Sequence, residues 1–188
     1  MKKILLAIAV GMLAGGAALA ERADSLKPIN VKADTGTADM VKQGGTFEGN
    51  VVLTRGTVVM KGDKLKLTED PEGYNFATLT AAPGALATFR QKRDGGADLW
   101  VEGEAERIDY DNKTDIIKLS GRARVTNLEG SRVTDRAEGP FLSYDSRKEQ
   151  FAAINTPSGQ SKVGGGRVEF TFDHPKRPAP ATPAPGKQ

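Results

Sequence analysis

Apolar and polar residues alternate one by one along several segments of the chain, which is the spacing of a β-strand with one buried face. The alternation is strict over residues 47–54, 117–126 and 167–173. In the last of these segments the side chains expected to face the interior are Val168, Phe170 and Phe172. Because the opposite faces are polar, the pattern predicts antiparallel strands with one wet face, and helical periodicity is not convincing after residue 20.

One strand–turn–strand unit occurs twice in the sequence. Residues 105–125 align with residues 33–53 when Gly121 is laid over Gly49. In a shorter motif a small residue is followed three and five positions later by apolar residues, and it begins at Gly62, Ala105 and Gly139. Such repetition is typical of a chain that stacks one supersecondary unit.

Where the short motif occurs, the alternation of apolar and polar positions shifts by one residue. Such a shift occurs at a β-bulge or at a corner between two sheets. Repeated corners favour a folded-over sheet with two layers. The sequence therefore predicts an all-β fold, an antiparallel β-jellyroll built from the repeated strand–turn–strand units.

Gly49 and Gly121 lie in the middle of predicted strands, at apolar-parity positions. Glycine weakens a strand and often marks a bend or a bulge, which is the interpretation we favour. The alternative is that the missing side chains leave interior room for a long, thin apolar ligand, with the aromatic residues as its walls.

The two ends of the chain differ from the middle. Lys2 and Lys3 precede an apolar run that ends in Ala18-Leu19-Ala20, so residues 1–20 are predicted to be a cleaved signal peptide. Residues 175–188 are rich in proline and are predicted to be a disordered tail. This leaves one domain over residues 21–174, expected to be exported and soluble.

Composition narrows the function further. The chain has no cysteine, which excludes a disulfide framework and a lipid-anchored maturation. The formal net charge is +3, and Lys2 and Lys3 contribute two of these charges, so no nucleic-acid-binding surface is expected.

Residues for catalysis or metal binding are scarce. The single histidine, His174, cannot by itself build a catalytic triad or a typical zinc site. Glu102 and Glu104 could serve as a pair of catalytic carboxylates, but at a spacing of two they share one strand face, which we expect to be solvated. We therefore expect a protein that is not an enzyme and that uses no metal or cofactor.

Several segments, in this order and spacing, resemble the OstA-like family of lipopolysaccharide-transport proteins. They are residues 28–34, 47–51, 62–65, 83–89, 102–110 and 119–123, within a resemblance that spans about residues 25–175. The resemblance implies an open β-jellyroll whose apolar interior groove holds the acyl chains of lipid A. It also implies a soluble periplasmic carrier, or bridge, between the inner and the outer membrane.

The resemblance further implies which residues contact the lipid and which join protomers. The groove candidates are Ser25, near the entrance, and Ile29, Phe47, Phe89, Tyr110 and Leu119. Two edge strands, at residues 29–33 and 167–173, would pair with other copies of the domain, through Val31, Val168, Phe170 and Phe172. Implied partners are lipopolysaccharide, a bitopic inner-membrane transport component, the N-terminal domain of the outer-membrane lipopolysaccharide translocon, and the protein itself, end to end.

Two other classes of protein share these features. One is a periplasmic carbohydrate-binding or structural β-sandwich whose aromatic residues only fill the core. The other is a hydrolase on a jellyroll scaffold. Uptake of lipopolysaccharide or of a fatty acid by delipidated protein separates the transport hypothesis from both.

Overall fold

The computed structural model describes residues 24–96 and 98–173, without the side chain of Ser25. Within them the chain forms one turn of 3-10 helix, η1 (Asp24–Leu26), and twelve β-strands. The strands are β1 (Asn30–Lys32), β2 (Thr35–Asp39), β3 (Gly44–Arg55), β4 (Val58–Glu69), β5 (Asn75–Thr80), β6 (Ala87–Lys92), β7 (Leu99–Ala105), β8 (Arg107–Asp111), β9 (Ile116–Glu129), β10 (Arg132–Asp145), β11 (Gln150–Ile154) and β12 (Glu169–Phe172). The predicted signal peptide, residues 1–20, and tail, residues 175–188, lie outside the described residues.

The strands form two layers in which every neighbouring pair is antiparallel. Layer A runs in the order β2, β3, β4, β5, β8, β9, β10, β11. Layer B runs in the order β1, β3, β4, β6, β7, β9, β10, β12. The long strands β3, β4, β9 and β10 belong to both, because one half of each pairs in layer A and the other half in layer B. The predicted all-β jellyroll is confirmed.

Gly49 and Gly121 form the corners at which β3 and β9 pass between the layers. Each has a φ of +77°, a left-handed conformation that glycine adopts without steric cost. An added Cβ would lie 2.4 Å from a carboxylate oxygen, of Asp34 at the first corner and of Glu106 at the second. The glycines therefore form bends, which is the interpretation that we favoured from the sequence. The alternative of interior room is wrong, because an exposed acidic side chain occupies that space.

The same backbone contact closes both corners. The N–H of Asp34 donates to the carbonyl of Gly49, and the N–H of Glu106 donates to the carbonyl of Gly121, each at 2.9 Å. This symmetry extends beyond the corners, because β7 to β12 repeat the arrangement of β1 to β6 strand for strand. The two repeats meet where β5 pairs with β8 in layer A and β6 pairs with β7 in layer B. We call this contact the internal junction.

The core lies between the two layers, and its buried apolar residues form one cluster. Rings from opposite layers stack there, Phe89 of β6 on Tyr144 of β10, with centroids 6.4 Å apart. At the ends of the layers, β1 and β2 pair only with β3, while β11 and β12 pair only with β10 within the described part of the chain. We call these the N-terminal end and the C-terminal end.

The last strand differs from its prediction. β12 is confined to Glu169–Phe172, so Val168 lies outside it. Phe170 pairs with the buried Ala137 and therefore lies on the interior side of layer B, as predicted. It is nevertheless 41% exposed and Phe172 is 65% exposed, because no further described strand covers the C-terminal end. The prediction of a packed inner face is wrong for this strand.

Candidate functional site

The candidate site is the space between the two layers, which is filled by apolar side chains. Three of the predicted groove residues lie in it, with relative exposures of 1% for Phe89, 5% for Tyr110 and 0% for Leu119. A Cβ added to Gly103 would meet both Phe89 and Leu119, so these two side chains come together across the layers. The interior is a packed core in this structure, and the predicted groove residues do not line an open channel.

The other groove candidates lie at the N-terminal end. Ile29 and Phe47 are partly buried and pack against the core cluster. The ring of Phe47 lies over the backbone of Gly36 and Gly45, where an added Cβ would come within 2.6 Å and 3.1 Å of it. Ser25 belongs to η1, which precedes β1 at the same end. The structure therefore separates the six candidates into an interior group and an N-terminal group.

The two long sides of the interior are unlike. On one side the layers are joined by the corners of the long strands. On the other side the turns of layer A face the turns of layer B, and we call this side the mouth. Polar residues occupy interior positions next to the mouth, each with a relative exposure of 5 to 7%: Arg55, Gln91, Asn112 and Asn127. A polar rim thus borders the apolar interior along the side where the turns of the two layers face each other.

η1 covers the mouth at the turn between β3 and β4. Asp24 is 4% exposed, and its carboxylate accepts hydrogen bonds from the backbone N–H and the hydroxyl of Thr57, the first at 2.9 Å. Nε of Arg55 donates to the Asp24 carbonyl at 3.2 Å.

The phenol of Tyr110 is affected by its burial in the interior and by the Arg55 cation. Burial raises the pKa of Tyr110 and outweighs the effect of the cation, which lowers it, so this phenol stays neutral at ordinary pH.

Further along the mouth an ion pair joins the layers directly. Nη2 of Arg93, in the β6–β7 loop of layer B, lies 2.5 Å from Oε2 of Glu149, in the β10–β11 turn of layer A. The backbone N–H of Asp94 also donates to the Glu149 carboxylate, at 3.1 Å. The side chains of Arg93 and Glu149 are 17% and 27% exposed. A hydrogen-bonded and partly exposed ion pair therefore bridges the two layers at this point of the mouth.

The predicted edge residues lie at opposite ends of the molecule. Val31, in β1, is partly buried at the N-terminal end. Phe170 and Phe172 stack on each other at the C-terminal end, with centroids 6.1 Å apart, and Val168 is 37% exposed beside them. These strands each leave one side without a backbone partner among the described residues, which is the arrangement that permits pairing with another chain.

The outer faces of the layers carry compensated charges. Glu102 pairs with Arg90, and Glu104 pairs with Arg124, so the two carboxylates lie on the wet face of β7 as predicted. Across residues 24–96 and 98–173 we find no cluster of three or more metal-ligating side chains. In the same ranges there is no helix with the length and hydropathy needed to cross a membrane.

The sequence predicted a strand at the start of the 33–53 unit, where β2 lies, but it did not identify β2 and β11 as edge strands, and it missed the polar rim. A signal for the rim was present, since Arg55 and Asn127 occupy equivalent positions in the two aligned units and are polar at an apolar parity. The short β2 gave a weaker signal, because its inward residues are only Gly36 and Ala38.

Comparison with known proteins agrees with this architecture. The chain is 31% identical over 159 residues to the lipopolysaccharide export system protein LptA of Haemophilus influenzae, covering 85% of this chain and 87% of the relative. It is 33% identical over 146 residues to LptA of Escherichia coli K12, covering 75% and 77%. The crystal structure of LptH from Pseudomonas aeruginosa, described as the LptA homologous periplasmic component of the lipopolysaccharide transport device, superposes with a TM-score of 0.68 at 21% identity. That match covers 80% of this chain and 98% of LptH and shows a shared fold.

A family model gives the decisive match. The model of the LptA/(LptD N-terminal domain) LPS transport proteins matches residues 30–150, which contain β1 to β10 and so most of both layers. The protein therefore belongs to the family of LptA and the LptD N-terminal domain.

Proposed function

We propose that this protein is a periplasmic lipopolysaccharide carrier that shields the acyl chains of lipid A between its two layers and assembles end to end. The observation that carries the proposal is the single apolar cluster, which extends from Val31 and Phe47 at one open end to Phe151 and Ala153 at the other. Membership in a family of lipopolysaccharide transport proteins supports the choice of ligand.

The chemistry of the ligand explains why such an interior is needed. An acyl chain of about 12 methylenes costs on the order of 10 kcal/mol to expose to water, at ~0.8 kcal/mol per methylene. Several chains on one lipid make free diffusion through water negligible. Between two β-layers the chains would replace side-chain contacts of similar polarity, while the sugars stay in water.

Interior residues such as Phe89 and Leu119 are fully packed, so the acyl chains cannot enter without displacing these side chains. Loading therefore requires the layers to move apart. The corners at Gly49 and Gly121 stay intact during such a movement, since they are continuous backbone.

Photo-crosslinking tests the carrier proposal. A crosslinking residue at Phe89 or Tyr110 should capture lipopolysaccharide, because both side chains face the interior. The matched control is Lys118, which is on the exposed face of β9. Equal labelling at all three positions contradicts the proposal. Binding of a lipid-free oligosaccharide favours a carbohydrate-binding domain, and binding of neither ligand favours a structural one.

The internal junction supports end-to-end assembly, because it joins two copies of the same repeat. In layer A, β11 is equivalent to β5 and β2 is equivalent to β8, so β11 of one copy can pair with β2 of the next. The internal pair Ala77 opposite Tyr110 then corresponds to Phe151 opposite Ala38 of the next copy. In the internal pair the small residue lies on β5 and the large one on β8. In the joint the large residue lies on β11 and the small one on β2.

Layer B has a matching joint, between β12 of one copy and β1 of the next. The internal pair Phe89 opposite Gly103 corresponds to Phe170 opposite Val31. In the same register, the other two pairs that face the interior are Phe172 with Ile29 and Val168 with Ala33. All four residues predicted for the edge, Val31, Val168, Phe170 and Phe172, thus lie in one joint.

The same joint serves partners that carry this domain in membrane proteins. We infer that one end meets a bitopic inner-membrane component and that the other meets the N-terminal domain of the outer-membrane translocon. The family unites LptA with the LptD N-terminal domain, which supports pairing between unlike members through equivalent edges.

A further inference from the structure

The proposed function requires an entrance for the lipid, and the two long sides of the interior are not equivalent in this respect. The corner side is covalent, with backbone crossing at Gly49 and Gly121. The mouth is held by side-chain contacts. Because the sugars of the ligand must remain in water, the acyl chains can insert sideways only where the sugars can project outward, and this leaves the mouth.

Arg93 and Glu149 form a direct ion pair across the mouth. It links the β10–β11 turn of layer A to the β6–β7 loop of layer B, whereas Arg122 and Glu106 pair at a corner and Arg147 and Asp115 pair within layer A. Its second hydrogen bond, from the Asp94 N–H, fixes the carboxylate against the β6–β7 loop.

The ion pair lies just past the ends of the two strands that carry a pair of stacked interior rings. Arg93 follows Phe89 and Gln91 along the inward side of β6, and Glu149 follows Tyr144 by one turn. Phe89 and Tyr144 are the two rings that stack between the layers. Opening the mouth at this point would separate that stack and expose the apolar core directly.

We propose that Arg93 and Glu149 form a clasp on the mouth, and that the acyl chains of lipopolysaccharide enter sideways between the β6–β7 loop and the β10–β11 turn when the clasp opens. This inference rests on the proposed carrier function. It differs from entry through an open end, where the continued layers of a neighbouring copy would join the two interiors, and the experiment below separates the two routes.

A cysteine pair tests the clasp, since the chain has no native cysteine to compete. In the double variant Arg93→Cys with Glu149→Cys, a short bis-maleimide crosslinker would lock the mouth. The matched control is Arg90→Cys with Glu102→Cys, which replaces an ion pair within layer B and bridges no layers. Uptake of fluorescent lipopolysaccharide is then compared for each variant before and after crosslinking.

We expect crosslinking to abolish uptake in the clasp variant and to leave the control unchanged. Uptake by the locked clasp variant at the rate of the control overturns sideways entry, while the carrier function stands. Failure of the native protein and of both uncrosslinked variants to take up lipid overturns the carrier function itself.

A milder substitution gives a kinetic readout that does not depend on crosslinking. Glu149→Gln keeps the shape of the side chain and removes its charge, so opening should be easier and uptake about fivefold faster, as expected for the loss of a partly exposed ion pair. Glu102→Gln, on the outer face of layer B, should not change the rate. An unchanged or slower rate for Glu149→Gln, with a melting curve like that of the native protein, contradicts the clasp.

Discussion

The two corner units of this protein have the same backbone but different surroundings. In the second repeat, Ala105 and Leu119 are completely buried, and β8 points Ile108 and Tyr110 into the core. In the first repeat the positions equivalent to Ile108 and Tyr110 are Gly36 and Ala38, in a β2 that is exposed along its whole length.

The difference follows from strand order. β8 has β5 on its other side, whereas β2 has no described strand there. A unit in the middle of the stack therefore becomes core, and the same unit at the end becomes an exposed edge with small side chains. The sequence of the unit determines its local fold, while the strands beside it determine whether it is buried or exposed. Substitutions at equivalent positions can separate the two contributions.

The largest effect is expected from proline in equivalent strands. Phe89 in β6 and Phe170 in β12 occupy equivalent positions, but β6 is paired on both sides. Because proline removes a backbone donor and restricts φ, Phe89→Pro should unfold the protein, at a cost of roughly 3 kcal/mol or more. Phe170→Pro should leave a folded monomer that no longer associates.

Light scattering over a concentration series, with circular dichroism as the folding control, measures both variants. Oligomers of Phe170→Pro that match those of the native protein would contradict the edge joint.

A smaller difference is expected for truncated side chains. Leu119 is completely buried and Phe47, its equivalent, is partly buried. Leu119→Ala should lower the free energy of unfolding by about 3 kcal/mol, within the range for buried leucine, and Phe47→Ala should lower it by less, because its ring is only partly buried. Urea denaturation of the two variants gives the comparison. Equal losses would mean that the N-terminal end is as tightly packed as the centre.

The corners themselves should respond alike. Both glycines have the same φ and the same distance to a carboxylate, so Gly49→Ala and Gly121→Ala should each cost roughly 1–2 kcal/mol of backbone strain. If Gly121→Ala lowers the free energy of unfolding clearly more than Gly49→Ala does, the surroundings also determine the stability of the corner. Thermal unfolding at low protein concentration avoids any contribution from assembly.

The smallest effect concerns pH. Burial acts to raise the pKa of Asp109, but hydrogen bonds from Arg107 and Thr78 outweigh it and hold the pKa below the ordinary value of 3.8. Since the folded-state pKa is depressed, the carboxylate contributes stability above its unfolded pKa, and this contribution is lost as the pH falls through the folded value. The equivalent residue of the first repeat, Thr37, has no such charge.

Asp109→Asn should therefore be less stable than the native protein by about 1 kcal/mol at neutral pH. The difference should shrink below about pH 4, where the native carboxylate also becomes protonated. A difference in unfolding free energy that stays constant from neutral pH to well below this range would contradict the assignment.

The repeat, the corners and the side of the sheet on which a residue lies could be predicted from the sequence. Gly49 and Gly121 interrupt an alternation that otherwise fixes the orientation of each side chain, so the bend and the inward positions of Phe89 and Leu119 follow from local spacing. The inward side of Phe170 follows in the same way.

Exposure could not be predicted in this way, because it depends on which strands lie beside one another. By alternation, Phe170 and Leu119 are both expected to face the interior. Phe170 is nevertheless 41% exposed, whereas Leu119 is completely buried. The pairing of Arg93 with Glu149 is equally non-local, since it joins a loop of one layer to a turn of the other that lies 56 residues further along the chain.

The number of strands in each layer has a further consequence. Each layer contains eight strand segments, all antiparallel to their neighbours, so its first and last strands run in opposite directions. An added copy therefore continues the alternation without being turned over, and the joint relates copies by translation and twist instead of a two-fold axis. An array built in this way would have a polarity, with its mouths along a single helical stripe and with two chemically different terminal surfaces.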